Sequence, residues 1–147
     1  MTTPAEKARK DIDLLLKLAG GQIQDYAELD FSAGLGVAVR EFPLKTGEAD
    51  YMLFVDRTAV GAIEAKPAGT TLSGVSEQTA KYLTGLKENI PNAGNPLPFG
   101  YESTGTETRF IDIRDPDARS RPVFSFHQPK TLQEWLKAVQ TVRGRLR

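Results

Sequence analysis

The chain has 147 residues, 19 basic side chains against 19 acidic ones, and no cysteine. That length fits a single domain with its own core. The lack of thiols excludes disulfides, thiolate zinc sites and cysteine nucleophiles, and the charge balance excludes a strongly basic coat for nucleic acid. Ile12, Leu15, Leu16 and Ala19 recur at helical spacing, Leu14 and Leu18 widen the stripe, and Gly20-Gly21 ends it, so the first element is an amphipathic helix. Tyr26 to Phe31 reads as irregular. Gly36 to Phe42 reads as the first strand, stopped by Pro43, which cannot continue a central strand.

A turn at Lys45-Thr46-Gly47-Glu48 leads into the apolar run Tyr51 to Val55, and Asp56-Arg57-Thr58 separates that strand from Val60 to Ala65. Pro67 and Gly69 stop the third strand. Val75, Thr79, Tyr82, Leu83 and Leu86 then fall at helical intervals, with Ser73 as the expected cap. The proline-rich stretch Asn89 to Pro98 is a loop. Phe99 to Ser103 and Thr108 to Ile113 are expected to pair around Thr104-Gly105, Val123 to Phe126 to add a strand, and Thr131 to cap a last helix on Leu132, Trp135, Leu136 and Val139. The order predicts an α/β fold, a central mixed sheet flanked by helices. No apolar run is long enough to cross a membrane.

The chemistry concentrates in Asp50 and the triplet Glu64-Ala65-Lys66. An extended backbone alternates faces, so Glu64 and Lys66 share one surface while Ala65 points into the opposite layer. A hairpin between the strands brings Asp50 to the same surface. On this alternation Val60, Ala62, Glu64 and Lys66 share a face, and charge replaces an apolar stripe where it would otherwise continue. Asp50 and Glu64 are hard oxygen donors suited to a divalent cation, the Ala65 carbonyl is a third candidate ligand, and Lys66 can orient water or offset charge, its pKa lowered by nearby cations. The pattern is that of a metal-dependent nuclease. By itself a Glu-x-Lys triplet is short and common, and solvent-facing strand residues explain it better than function does. Gln78 and Tyr82 lie four apart and share a helix face, Tyr82 as a core residue with its hydroxyl at the rim.

Other motifs fail on inspection. Gly69 and Gly74 have phosphate-loop spacing, but Val75 stands where a lysine is required, and Gly34 and Gly36 lack the third glycine of a dinucleotide fingerprint, so neither ATP nor NAD is expected to bind. His127 is the one histidine, and packing suits it better than a catalytic triad. The basic residues from Arg109 onward read as a solvated helix face with loop charges.

Longer blocks carry a resemblance. Gly36-Val37-Ala38-Val39-Arg40-Glu41-Phe42-Pro43, Gly47-Glu48-Ala49-Asp50-Tyr51, Glu64-Ala65-Lys66-Pro67, Gln78 with Tyr82, Tyr101-Glu102-Ser103-Thr104-Gly105, and Arg119-Ser120-Arg121 through Phe126-His127 run almost end to end. Together they resemble the N-terminal nuclease domain of the R (restriction) subunit of type I restriction enzymes, within the PD-(D/E)xK nuclease superfamily. The resemblance implies that Asp50, Glu64 and Lys66 are catalytic, that Gln78 and Tyr82 form the associated Q-x-x-x-Y motif, and that Glu6 occupies a position where related nucleases often carry another acid. Ala49 stands where the superfamily name has proline.

It further implies Mg2+ with Mn2+ as a substitute, duplex DNA as substrate, and a bacterial or archaeal cytoplasmic setting. Residues 1–147 are then a single endonuclease domain of a longer motor subunit, with residues 130–147 a C-terminal helix leading toward the ATP-dependent translocase region. The implied partners are that region and the modification and specificity subunits. Two alternatives accompany this expectation: a non-catalytic docking or DNA-binding module, and a single-strand or repair nuclease of the same superfamily.

Overall fold

A computed structural model describes residues 3–72 and 77–145. Helix α1 (Pro4–Leu18) starts where Thr3 accepts a hydrogen bond from the Glu6 N–H at 3.1 Å, with Pro4 at the first helical position where its missing N–H costs nothing. It stops before Gly20, whose φ of +93° suits a residue without a Cβ. Ala8, Ile12 and Leu16 are its buried residues. Leu14 and Leu18 are 58% and 74% exposed, so they do not widen the apolar stripe, which is completed instead by the partly buried Leu15 and Ala19.

After α1 the chain forms β1 (Gln22–Asp25), a 3-10 turn (Tyr26–Glu28), β2 (Gly36–Leu44), β3 (Gly47–Val55), β4 (Thr58–Ala65), α2 (Glu77–Thr84), β5 (Phe99–Ser103), β6 (Thr108–Asp112), β7 (Arg121–Val123) and α3 (Pro129–Arg145). The seven strands form one mixed sheet in chain order. β1 is parallel to β2, β2 to β4 form an antiparallel meander, α2 makes the crossover to the parallel neighbour β5, and β5 to β7 are antiparallel. Ile12 and Leu16 of α1 and Leu132 of α3 pack with Tyr51, Leu53, Ile63, Phe99, Tyr101 and Phe110 on one face. Tyr82 and Leu83 of α2 pack with Val39, Phe42, Met52, Phe54 and Ala62 on the other. The result is an α/β fold with helices on both sides of the sheet.

Several element boundaries depart from the sequence expectation. β1 is a short polar strand without alternation, visible only through its pairing with β2. β2 continues through Pro43, because β1 ends opposite Arg40 and leaves Pro43 on a free edge where no ladder donor is needed. β7 covers Arg121–Val123 rather than running from Val123 to Phe126, and Phe124 is fully exposed. Thr131 lies inside the first turn of α3, whose backbone begins on the Gln128 carbonyl, accepting from Thr131 and Leu132 at 2.9 and 3.2 Å. Ser73 and Val75 fall outside the described residues, so the expected cap of α2 does too.

Candidate active site

The β3–β4 hairpin sets the site. Its turn is Asp56-Arg57, both at positive φ (50° and 66°), the geometry a two-residue hairpin demands. Ala59 pairs with Phe54 and Gly61 with Leu53, so Val60 is an extra residue, a bulge. It shifts Val60 to the α1–α3 face while Ala59 and Ala62 both face α2. The uninterrupted alternation expected for Val60, Ala62 and Glu64 is therefore broken at Val60 and regular only beyond it. From there Tyr51 opposes Ile63, and one step further brings Asp50 level with Glu64 at the mouth of the hairpin.

Both Asp50 oxygens are engaged. Oδ2 accepts the Ala65 N–H at 2.8 Å and the Tyr82 hydroxyl at 3.3 Å, and Oδ1 accepts from Arg9 at 2.9 Å. Burial pushes the Asp50 carboxyl above its ordinary range, opposed by the Ala65 N–H, Arg9 and Tyr82, while Glu64 adds to the rise. Glu64 is 3% exposed, and its Oε1 lies 3.0 Å from the Lys66 ammonium. The amine is accordingly raised, first by the hydrogen bond to Glu64, with the charges of Glu64, Glu102 and Asp50 adding. The sequence expectation was a lowered amine. The groups around Lys66 are acids, which favour the ammonium form. Ala65 meets Asp50 through its N–H, whereas the expectation concerned its carbonyl.

Helix α2 supplies the third side. Tyr82 is buried with its hydroxyl on Asp50, and Gln78, exposed one turn earlier, hydrogen-bonds to that phenol. Asp50, Glu64, Lys66, Gln78 and Tyr82, drawn from β3, the end of β4 and α2, thus meet in one place. Glu6 is exposed on the first turn of α1, and the residue of that helix reaching Asp50 is Arg9. Among the described residues, no group of three or more acidic or histidine side chains is arranged to hold a metal ion.

Three further residues at the site were not singled out by the sequence as functional. Arg9 bridges Asp50 and Glu41, its Nη1 lying 3.1 Å from Glu41. Glu41 sits between the pairs Arg40–Tyr51 and Phe42–Ala49, so it lies beside Asp50, at a φ of 51° that an L-residue adopts only under local constraint. Glu102, 4% exposed on β5, is in register with Glu64. Its membership of the Tyr101 to Gly105 block was legible, its place beside Glu64 was not. Arg109, next in that row, turns away and holds Ser120 through Nε and Nη2 at 2.9 Å each.

Three further basic residues of the C-terminal half have partners of their own. Arg114 chelates Asp112, Arg119 pairs with Asp117, and Arg121 lies over the Phe110 ring. His127 packs among Tyr101, Phe110 and Trp135 with its Nδ1 2.6 Å from the Tyr101 hydroxyl.

Residues 24–136 match the family described as the type I restriction enzyme EcoKI endonuclease subunit second domain. No curated protein and no solved structure matches the chain. Among the described residues, no helix is long and apolar enough to cross a membrane.

Proposed function

The chain belongs to the family of the type I restriction enzyme EcoKI endonuclease subunit second domain, and from that premise we propose that it is a metal-dependent endonuclease domain hydrolysing phosphodiester bonds of duplex DNA. The observation that carries the reading is the meeting of Asp50, Glu64 and Lys66 at the mouth of one hairpin, with the Ala65 N–H and the Tyr82 hydroxyl fixing Asp50. Two carboxylates are held close together on adjacent strands with Arg9 and Lys66 as their cationic partners, and a catalytic site is one reason for a fold to retain such a charged cluster.

The donor set fits a hard divalent ion. Asp50 and Glu64 offer carboxylate oxygens, the Ala65 carbonyl is the third donor in this reading, and Mg2+ or Mn2+ commonly takes one or two carboxylates with water and substrate phosphate completing its shell. Such an ion supplies charge stabilisation at the phosphate and a more acidic bound water. The protein's own residues do the rest. Lys66, held as an ammonium by Glu64, places positive charge beside the phosphate and donates to the attacking water. Tyr82, steadied by Gln78, holds Asp50 in one orientation. Glu6, on the helix that carries Arg9, is a further candidate acid at the rim.

With formal net charge zero, the domain has little field of its own to retain DNA. Sequence recognition and delivery of the duplex therefore fall to the ATP-dependent translocase region and to the modification and specificity subunits of the restriction complex. The test is Asp50→Ala, Glu64→Ala and Lys66→Ala in the intact enzyme. Each abolishes Mg2+-dependent cleavage of plasmid DNA while the isolated chain keeps its circular-dichroism spectrum. Wild-type cutting by any of the three contradicts the assignment and favours a docking or DNA-binding module.

A further inference from the structure

Lys66 is the amine of the site, and it sits at the ragged end of β4, just beyond the last strand residue. Its backbone is anchored to β5, the Lys66 N–H donating to the Ser103 carbonyl at 2.8 Å. A lysine side chain has four rotatable bonds, so its ammonium stays in place only if anions hold it. Glu64 holds one side at 3.0 Å. Yet in the endonuclease reading Glu64 is also a metal ligand, and a carboxylate drawn toward a divalent ion loses part of its hold on a neighbouring ammonium.

The residue placed to take up that role is on the next strand. Parallel pairing sets Glu102 level with Glu64 and Ser103 level with Ala65, so the two glutamates are neighbours on the same face. Glu102 is as deeply buried as Glu64. Glu102 also directly precedes Ser103, the residue whose carbonyl accepts the Lys66 N–H.

We infer that Glu102 is a positioning residue for Lys66: it shares the ammonium with Glu64, keeps Lys66 beside the scissile phosphate when Glu64 engages a cation, and so acts on the reaction through Lys66 rather than by touching substrate. The inference rests on the endonuclease reading and deepens it.

The test compares Glu102→Gln, which keeps shape and removes charge, with Glu102→Asp, which keeps charge on a shorter arm. In the intact enzyme under single-turnover conditions, E102Q lowers the cleavage rate at least tenfold with DNA affinity within twofold, and E102D recovers much of the loss. A second readout needs no activity. In urea unfolding of the chain, E102Q is more destabilising in the wild type than in a Lys66→Met background, because there the partner charge is already gone. Cleavage by E102Q at the wild-type rate, equal losses in E102Q and E102D, or identical midpoint shifts in both backgrounds overturn the role assigned to Glu102. If Lys66→Met itself cuts normally, the endonuclease reading fails first. If Lys66→Met and Asp50→Asn are inactive while E102Q is not, only the Glu102 inference falls.

Discussion

Tyr82→Phe isolates one hydrogen bond of the site. The hydroxyl donates to Asp50 Oδ2 at 3.3 Å, while Oδ2 keeps the Ala65 N–H at 2.8 Å and Oδ1 keeps Arg9 at 2.9 Å. A hydrogen bond to a charged group is worth roughly 1.5–3 kcal/mol. This one is longer than usual for an O–H donor, and Asp50 retains two stronger donors, so the expected loss is nearer about 1 kcal/mol. Expressed fully at the transition state, that is a reduction in rate of roughly fivefold. The ring stays in the α2-side core, so the cost to folding stability is expected to be no larger than that of the hydrogen bond itself, about 1 kcal/mol. Single-turnover cleavage by the intact enzyme at saturating Mg2+, with urea unfolding of the chain alongside, measures both quantities. An unchanged rate means the phenol does not steer Asp50. Complete loss with stability intact means that it does chemistry beyond holding a carboxylate, and a purely orienting role for Tyr82 is then refuted.

Two further outcomes follow from the fold. A Cβ at Gly61 would lie 2.3 Å from the Phe99 carbonyl oxygen and 2.9 Å from the Phe99 Cβ, so Gly61→Ala forces β5 away from β4. A destabilisation of about 1–3 kcal/mol is expected, with loss of cleavage as Glu64 and Glu102 separate; a variant with an unshifted urea midpoint disproves that packing. His127 is held below its ordinary pKa of 6.5, first by burial and then by Arg121. A lowered histidine pKa means that the unfolded chain takes the proton first, so this contribution to stability is intact above pH 6.5 and is lost as pH falls from 6.5 through the folded value. The His127 Nδ1 lies 2.6 Å from the Tyr101 hydroxyl and shares a hydrogen bond with it. His127→Gln should flatten the pH dependence of the urea midpoint between about pH 7.5 and 5.5, and an equally steep dependence in the variant places its origin elsewhere.

Much was legible from residue order alone. The helix of Ile12 and Leu16 and the strand pairs at residues 51 to 65 and 99 to 112 follow from period and turn chemistry, because those signals are local; Asp50, Glu64 and Lys66 stood out by residue type and strand alternation, while Gln78 and Tyr82 entered the candidate set only through the family resemblance. The structure brings these five residues together. What stayed hidden depends on partners far away in the chain. β1 is a strand only because β2 lies beside it, Pro43 is tolerated only because β1 has already ended, and the bulge at Val60 appears only once Ala59 and Gly61 are matched to Phe54 and Leu53.

The sequence by itself determined which residue types were available for the chemistry: hard carboxylates, one adjacent amine, no thiol, and a helix offering an amide and a phenol at one-turn spacing. The tertiary structure alone decided who stands next to whom. Arg9 meets Asp50 across 41 positions and Tyr82 meets it across 32, while Glu102 comes level with Glu64 through a parallel register set by the α2 crossover. Charges separated by that much chain interact through space and low dielectric rather than through sequence, so their pairing is fixed only when the sheet closes.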